Sequence, residues 1–112
     1  MATHTMHLHP QPFEQIRNGT KTVELRINDE KRRQLQVGDT ITFISRSDPD
    51  DTISVHITNV ESFVSFEELY KSIPPESFGV KEGDSFESLY EYYSREEEEK
   101  YGVVAISFAL AE

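Results

Sequence analysis

The chain of 112 residues contains no cysteine. A disulfide framework, a thiolate metal site and a cysteine nucleophile are therefore excluded. No stretch approaches the roughly 18 consecutive apolar residues that a membrane-spanning helix requires, and residues 1–5 lack the basic start and apolar run of a secretory signal. We therefore expect a soluble, cytoplasmic protein with no membrane partner.

Positive charge is also scarce, because 11 lysines and arginines face 21 acidic residues and leave a net charge of −10. A protein that binds along a long duplex gains affinity from many lysine and arginine contacts that release counterions from the phosphates. A chain with so few cations is poorly suited to that kind of binding. Most of the cations gather in the first half of the chain, among them Lys21, Arg26, Lys31, Arg32, Arg33 and Arg46. A local basic rim on an acidic body suits one nucleotide or a short single strand.

The length predicts one domain over residues 1–112, large enough to bury roughly 65% of its unfolded surface. Short alternating segments predict strands over residues 5–9, 22–27, 40–46, 53–60 and 103–110. Pro12 and Gly19 delimit a helix over residues 12–18. Capping-box patterns, Ser65-x-x-Glu68 and Asp84-x-x-Glu87, predict two later helices. The pattern is typical of a β-rich domain with inserted helices.

The segment after Gly19 is the most informative, because Lys21, Glu24 and Arg26 place a cation, an anion and a cation on one predicted strand. Alternation turns Glu24 and Arg26 to one face and the apolar residues to the core. The residues expected to face the core are Val23, Leu25 and Ile27. Lys21 has the parity of the apolar face, but its stem is long enough to bring the ammonium to either side.

These residues fit the pattern G-x-K-x-x-E-x-R, in which the chain resembles the ASCH family of small domains similar to the PUA RNA-binding domain. The flanking matches are His7-x-x-Pro10 before the motif and Val37-Gly38-Asp39-x-Ile41-x-Phe43 after it. The resemblance implies an α+β fold with a mixed or antiparallel barrel-like sheet and flanking helices. It also implies a cleft that binds RNA or a modified nucleoside or nucleotide, without a cofactor.

Candidate ligand-binding residues surround the motif. Together with Lys21, Glu24 and Arg26, they are His7, Arg46 and Tyr93. His7 and His9 lie two apart on one strand, but no cysteine or third ligand accompanies them, so we expect no metal.

Aromatic and acidic clusters in the second half have two interpretations. Tyr90, Tyr92, Tyr93 and Tyr101 include candidates for stacking on a base, while Tyr90 and Tyr93 also suit packing in the core. The acidic run at residues 96–99 indicates a solvated helix turn capped by Ser94, and we assign it no chemistry.

The function has a leading hypothesis and an alternative. The leading one is a nucleotide- or RNA-binding module, and the alternative is an enzyme, with Lys21 and Glu24 or His7 as catalytic residues. The enzyme would be an acetylated-cytidine amidohydrolase or a metal-independent ribonuclease. Relatives similar to the amidohydrolase carry threonine at the Glu24 position and a later glutamate, for which Glu76 is a positional candidate. A structural interpretation also stands: Glu24 and Arg26 as an exposed pair worth under about 1 kcal/mol. The sequence leaves the oligomeric state open.

Overall fold

The computed structural model of the protein describes residues 1–80 and 85–111. These residues form an α+β fold, the class that the sequence predicted. The strands are β1 (Thr3–Leu8), β2 (Val23–Ile27), β3 (Thr40–Ser45), β4 (Thr52–Phe63) and β5 (Val103–Leu110). The α-helices are α1 (Pro10–Arg17), α2 (Phe66–Ser72) and α3 (Arg95–Tyr101), and 3₁₀ helices cover Arg32–Gln34, Pro75–Phe78 and Phe86–Glu91.

The five strands form one sheet in the order β1-β3-β4-β5-β2. β1 pairs with β3 in parallel, and the other neighbouring strands are antiparallel. The sheet curls into a half-barrel, which confirms the predicted mixed, barrel-like architecture. β1 and β2 stand at the two ends of the strand order, so the residues between them in sequence bridge the open side of the half-barrel.

Apolar side chains form two cores, one on each face of β5. Val104 and Ile106 belong to the first core, which α1 covers with Phe13 and Ile16. Val103 and its alternating neighbours belong to the second core, against α2 and the later helices. A strand covered on both faces reads as a continuous apolar run, which explains the sequence of β5.

Several boundaries differ from those that the pattern predicted. β1 begins at Thr3, and β4 runs to Phe63 with a register shift between Ile57 and Asn59. Helix α1 begins at Pro10 rather than at the predicted residue 12, since a proline is tolerated in the first turn, where its missing N–H has no intrahelical partner.

The capping predictions are confirmed where the structure describes them. Ser65 Oγ accepts the N–H of Glu68 at 3.2 Å at the start of α2. Asp84 lies outside the described residues, and Ser85 caps the following segment by accepting the N–H of Glu87 at 3.1 Å. That segment is a 3₁₀ helix.

The acidic run on α3 is only partly the solvated turn that we predicted. Ser94 caps the helix as expected, since its Oγ accepts the N–H of Glu97 at 3.0 Å. Glu98, however, is buried, and its carboxylate accepts the Tyr90 hydroxyl at 2.8 Å and the N–H of Phe66 at 2.9 Å. Its position on α3 turns it toward the second core, where it links three helical segments.

Buried Asp39 fixes the beginning of β1. Its carboxylate accepts the N–H groups of Ala2 and Gln36, each at 3.1 Å, and lies 2.8 Å from Nε2 of His4. These contacts join the turn before β3 to the strand beside it. Within residues 1–80 and 85–111, no helix is long and apolar enough to cross a lipid bilayer.

Candidate ligand cleft

The charged face of β2 points into the half-barrel. In the β2–β5 pairing, Glu24 lies opposite Ile106 and Arg26 opposite Val104. Directly opposed residues share a face, so both charged side chains lie on the side of the first core. Alternation therefore predicted the correct face, but the exposed-pair interpretation is wrong, because the curl of the sheet covers that face and leaves Glu24 buried.

Glu24 is the centre of a three-residue ion cluster. Its Oε1 lies 3.1 Å from Nζ of Lys21, and its Oε2 lies 3.3 Å from Nη2 of Arg26. Oε1 also accepts the N–H of Leu25 at 3.0 Å. Because of the short distance between Nζ of Lys21 and Oε1 of Glu24, the lysine stem must bring the ammonium to the Glu24 side of the strand. The side chains of Lys21 and Glu24 are only 9% and 5% exposed.

The cluster sets the charge of its members. Burial alone would raise the pKa of Glu24, but Lys21 and Arg26 outweigh it and hold this pKa below its usual range. Burial would likewise lower the pKa of Arg26, yet the Glu24 carboxylate raises it above its ordinary value. Glu24 is therefore a carboxylate at neutral pH, and its two oxygens are occupied by the residues that it orients.

Tyr93 supports the cluster from the second core. Its hydroxyl donates to the carbonyl oxygen of Leu25 at 3.0 Å, and its ring centroid lies 5.4 Å from that of Phe66. Burial and the nearby Glu24 carboxylate raise the pKa of Tyr93 to about 12. Tyr93 thus packs through its ring, as one of the two interpretations predicted, while it also lines the cleft described below.

Arg32 is a member of this electrostatic group that motif reasoning did not select. Burial lowers its pKa, and the neighbouring Arg26 guanidinium lowers it further. The N–H of Arg32 donates to Oδ1 of Asp29 at 3.1 Å, which places it at the start of a 3₁₀ turn beside β2. The sequence shows Arg32 only as one cation of a basic group, because its proximity to Arg26 depends on how the chain turns after β2.

A cleft of about 570 Å³ opens beside the ion cluster. The end of β1, the start of α1, β2 and the segment around the 3₁₀ helix Phe86–Glu91 form its walls. The structure brings all six predicted ligand-binding residues to this cleft, namely His7, Lys21, Glu24, Arg26, Arg46 and Tyr93. Glu76 is exposed and is not among the described residues that line it.

The described lining of the cleft is net positive. Lys21, Arg26 and Arg46 contribute three cations against the single carboxylate of Glu24. This local excess stands in a chain of net charge −10. A concave site of one sign focuses its field on an incoming ligand of the other sign, so the cleft favours an anion.

The lining also includes residues that sequence reasoning did not assign to the site. Gln15 comes from α1, and His9 and Tyr92 line the cleft with their ring centroids 6.4 Å apart. The sequence shows His9 only as half of a histidine pair and Tyr92 only as one of several tyrosines, because their approach to the cleft depends on the folded chain. Among the described residues, no group of three histidine, aspartate or glutamate side chains is arranged to hold a metal ion.

The curled, mixed five-stranded sheet with its flanking helices is an α+β architecture that matches ASCH and PUA-like domains in fold. The chain belongs to the ASCH family, since the model of the ASCH domain matches residues 6–112.

Solved structures agree with this assignment. The hypothetical protein PH0355 superposes with a TM-score of 0.80 at 32% identity, covering 99% of this chain and 100% of that one. Protein PF0455 from Pyrococcus furiosus gives a TM-score of 0.76 at 30% identity and 98% coverage of both chains. The ASCH protein from Zymomonas mobilis shares the fold, with a TM-score of 0.65, 17% identity, and coverage of 96% of this chain and 66% of that one. No curated protein matches.

Proposed function

We propose that residues 1–112 act as a single ASCH domain that binds a nucleotide unit in the cleft, either free or within a short single-stranded RNA. The observation that carries the proposal is a cleft of about 570 Å³ whose described lining is net positive in an acidic chain. That volume lies within the range of small-molecule sites. The general association of the ASCH family with RNA binding supports the same conclusion.

The cations divide into two kinds. Lys21 and Arg26 are held by Glu24 and surrounded by protein, so they are donors whose orientation is already set before a ligand arrives. Arg46 is exposed at the cleft and free to approach a phosphate from solvent. We assign the fixed pair to hydrogen bonding with ligand oxygens and Arg46 to phosphate attraction, which are the charge-assisted contacts that nucleotide recognition uses.

The acidic body limits the length of the ligand. A long phosphate chain leaving the cleft would pass over a surface of mostly negative charge, which repels it. The ligand should therefore use only about one to three phosphate contacts. For a single strand, log affinity then falls with log salt with a slope of about −0.7 for each phosphate neutralised.

The test is a titration of the purified protein with nucleoside monophosphates and RNA trinucleotides at two salt concentrations. Arg46→Ala should weaken binding about 5- to 10-fold and flatten the salt slope, because it removes one charge-assisted contact. The matched control is Lys71→Ala, which removes an exposed cation outside the described cleft lining. Equal losses in both variants would attribute the effect to net charge and contradict the proposal.

The enzymatic alternative makes a different demand on Lys21. A general base must first lose its proton, whereas an ammonium 3.1 Å from an ionised carboxylate is held as a hydrogen-bond donor. Release of acetate from acetylated cytidine, or metal-independent RNA cleavage, would establish the enzyme if it disappears in Lys21→Ala and Glu24→Ala. Ligand binding without either reaction supports the binding module. We place this module in the cytoplasm.

A further inference from the structure

An aromatic pair, His9 and Tyr92, lines the cleft. His9 directly follows β1 and occupies the N-cap position of α1, without a side-chain hydrogen bond to the helix, and Tyr92 directly follows the 3₁₀ helix Phe86–Glu91. Their ring centroids are 6.4 Å apart with an interplanar angle of 48°, and Tyr92 is 69% exposed.

Tyr92 differs from the neighbouring tyrosines in having no part in the core. The rings of Tyr90 and Tyr93 both pack against Phe66, and both hydroxyls donate to protein oxygens. Within the described part of the chain, neither Tyr92 nor His9 makes a side-chain hydrogen bond, and each ring has the other as its aromatic neighbour. An exposed ring that lines a cleft and takes no part in the core is available for a ligand.

We propose that His9 and Tyr92 hold the nucleobase of the bound ligand between them, while Lys21, Arg26 and Arg46 hold its phosphate and sugar oxygens. This proposal rests on the proposed function. Stacked bases follow one another at about 3.4 Å, so two rings that enclose a base must stand about 7 Å apart. At 6.4 Å and a tilt of 48° the two rings contact each other, so a base enters only when these exposed side chains rotate apart to that separation.

The tilt of the rings is compatible with this role. Both side chains are exposed, so rotation about their own side-chain bonds can bring the planes parallel without repacking the core. Every base has an aromatic face, and stacking therefore tolerates different bases. The pair accordingly adds affinity for a base of any kind, and it separates base recognition from the contacts that Lys21, Arg26 and Arg46 make with the phosphate and sugar oxygens.

The experiment compares ribose 5-phosphate with the four ribonucleoside 5′-monophosphates by calorimetry. The wild type should bind the monophosphates about 5- to 100-fold more tightly, which is the contribution of one stacked base. Tyr92→Ala and His9→Ala should reduce this ratio to about 2-fold or less and leave ribose 5-phosphate binding unchanged, whereas Tyr92→Phe should preserve the ratio. The control is His56→Ala, an exposed histidine on β4 outside the described lining.

A spectroscopic readout complements the affinities. The fluorescence of 2-aminopurine riboside 5′-monophosphate should be quenched on binding to the wild type and to His56→Ala, but not on binding to Tyr92→Ala. If ribose 5-phosphate binds as tightly as the monophosphates and depends on Arg46, the aromatic pair is wrong and the nucleotide-phosphate site stands. If neither binds, both proposals are wrong.

Discussion

Nζ of Lys21 lies 3.1 Å from Oε1 of Glu24, and both side chains are more than nine-tenths buried. Removing two charges from water costs several kcal/mol for each ion, and the attraction between them repays this only with good geometry and further hydrogen bonds. Leu25 N–H and Arg26 supply those further contacts. Burying this ion pair is thus an inefficient way to stabilise a fold. Its position at the cleft indicates that Glu24 orients Lys21 and Arg26 as hydrogen-bond donors.

The first prediction concerns the loss of the lysine. An exposed lysine would contribute little to folding, but this one is buried, so Lys21→Met should lower the free energy of unfolding by about 2–4 kcal/mol, since Glu24 loses one of its two cations. Urea denaturation measures the change. Lys71→Met breaks an exposed pair with Glu68 and should change stability by less than about 0.5 kcal/mol. Equal stability of the two variants would contradict the buried pair.

The second prediction concerns acid. The folded pKa of Glu24 lies below its unfolded value, so its stabilising contribution is present above about pH 4.5 and is lost as the pH falls through the folded pKa. The stability difference between wild type and Glu24→Gln should therefore shrink steadily below pH 4.5 in urea titrations at several pH values. Glu61→Gln, which replaces an exposed carboxylate on β4, should show a difference near zero throughout. A constant gap for Glu24→Gln would argue against an ionised Glu24.

The third prediction concerns alkali. The pKa of Tyr93 is raised to about 12 in the folded state, so the contribution of Tyr93 to stability is fully present below its unfolded pKa of 10 and is lost as the pH rises toward 12. Tyr93→Phe should therefore lose stability less steeply than wild type between pH 10 and 12, although it is weaker at pH 7 by about 1 kcal/mol for the missing hydrogen bond. Tyr92→Phe, at an exposed site, should follow wild type.

The fourth prediction concerns Glu98. Glu98→Ala removes the acceptor of the Phe66 N–H and of the Tyr90 hydroxyl, and it should destabilise the protein by about 2–3 kcal/mol. Glu98→Gln keeps one acceptor oxygen and should lose less. The matched control is Glu99→Ala, an exposed residue on the same helix, whose unfolding midpoint should stay close to that of the wild type. A Glu98→Ala midpoint equal to that of Glu99→Ala would mean that the buried carboxylate links nothing.

The fold was predictable because its signals are local. Alternation locates the five strands, and the serine caps at Ser65 and Ser94 depend on residues within one helical turn. The family motif then supplied the barrel-like arrangement, which periodicity alone does not contain. Boundaries were less exact because β4 continues through an irregular register that pattern does not reveal.

The sequence predicted which residues form the site better than it predicted how deeply they are buried. The motif selected Lys21, Glu24 and Arg26, but their burial depends on the curl of the sheet, which no single strand encodes. Glu98 was missed for the same reason: one glutamate in a run of four turns inward only because the second core lies against that face of α3. His9 and Tyr92, at sequence positions more than eighty apart, meet only in the folded chain.

The strand order has a consequence for the timing of function. The two walls of the cleft, at the end of β1 and along β2, are connected through β3, β4 and β5, and β5 comes last of the five strands in chain order. A nascent chain that already contains Lys21, Glu24 and Arg26 still lacks β5, the strand with which β2 pairs. Ligand binding should therefore arise in one step at the completion of the sheet, so that occupancy of the cleft reports on the pairing of all five strands.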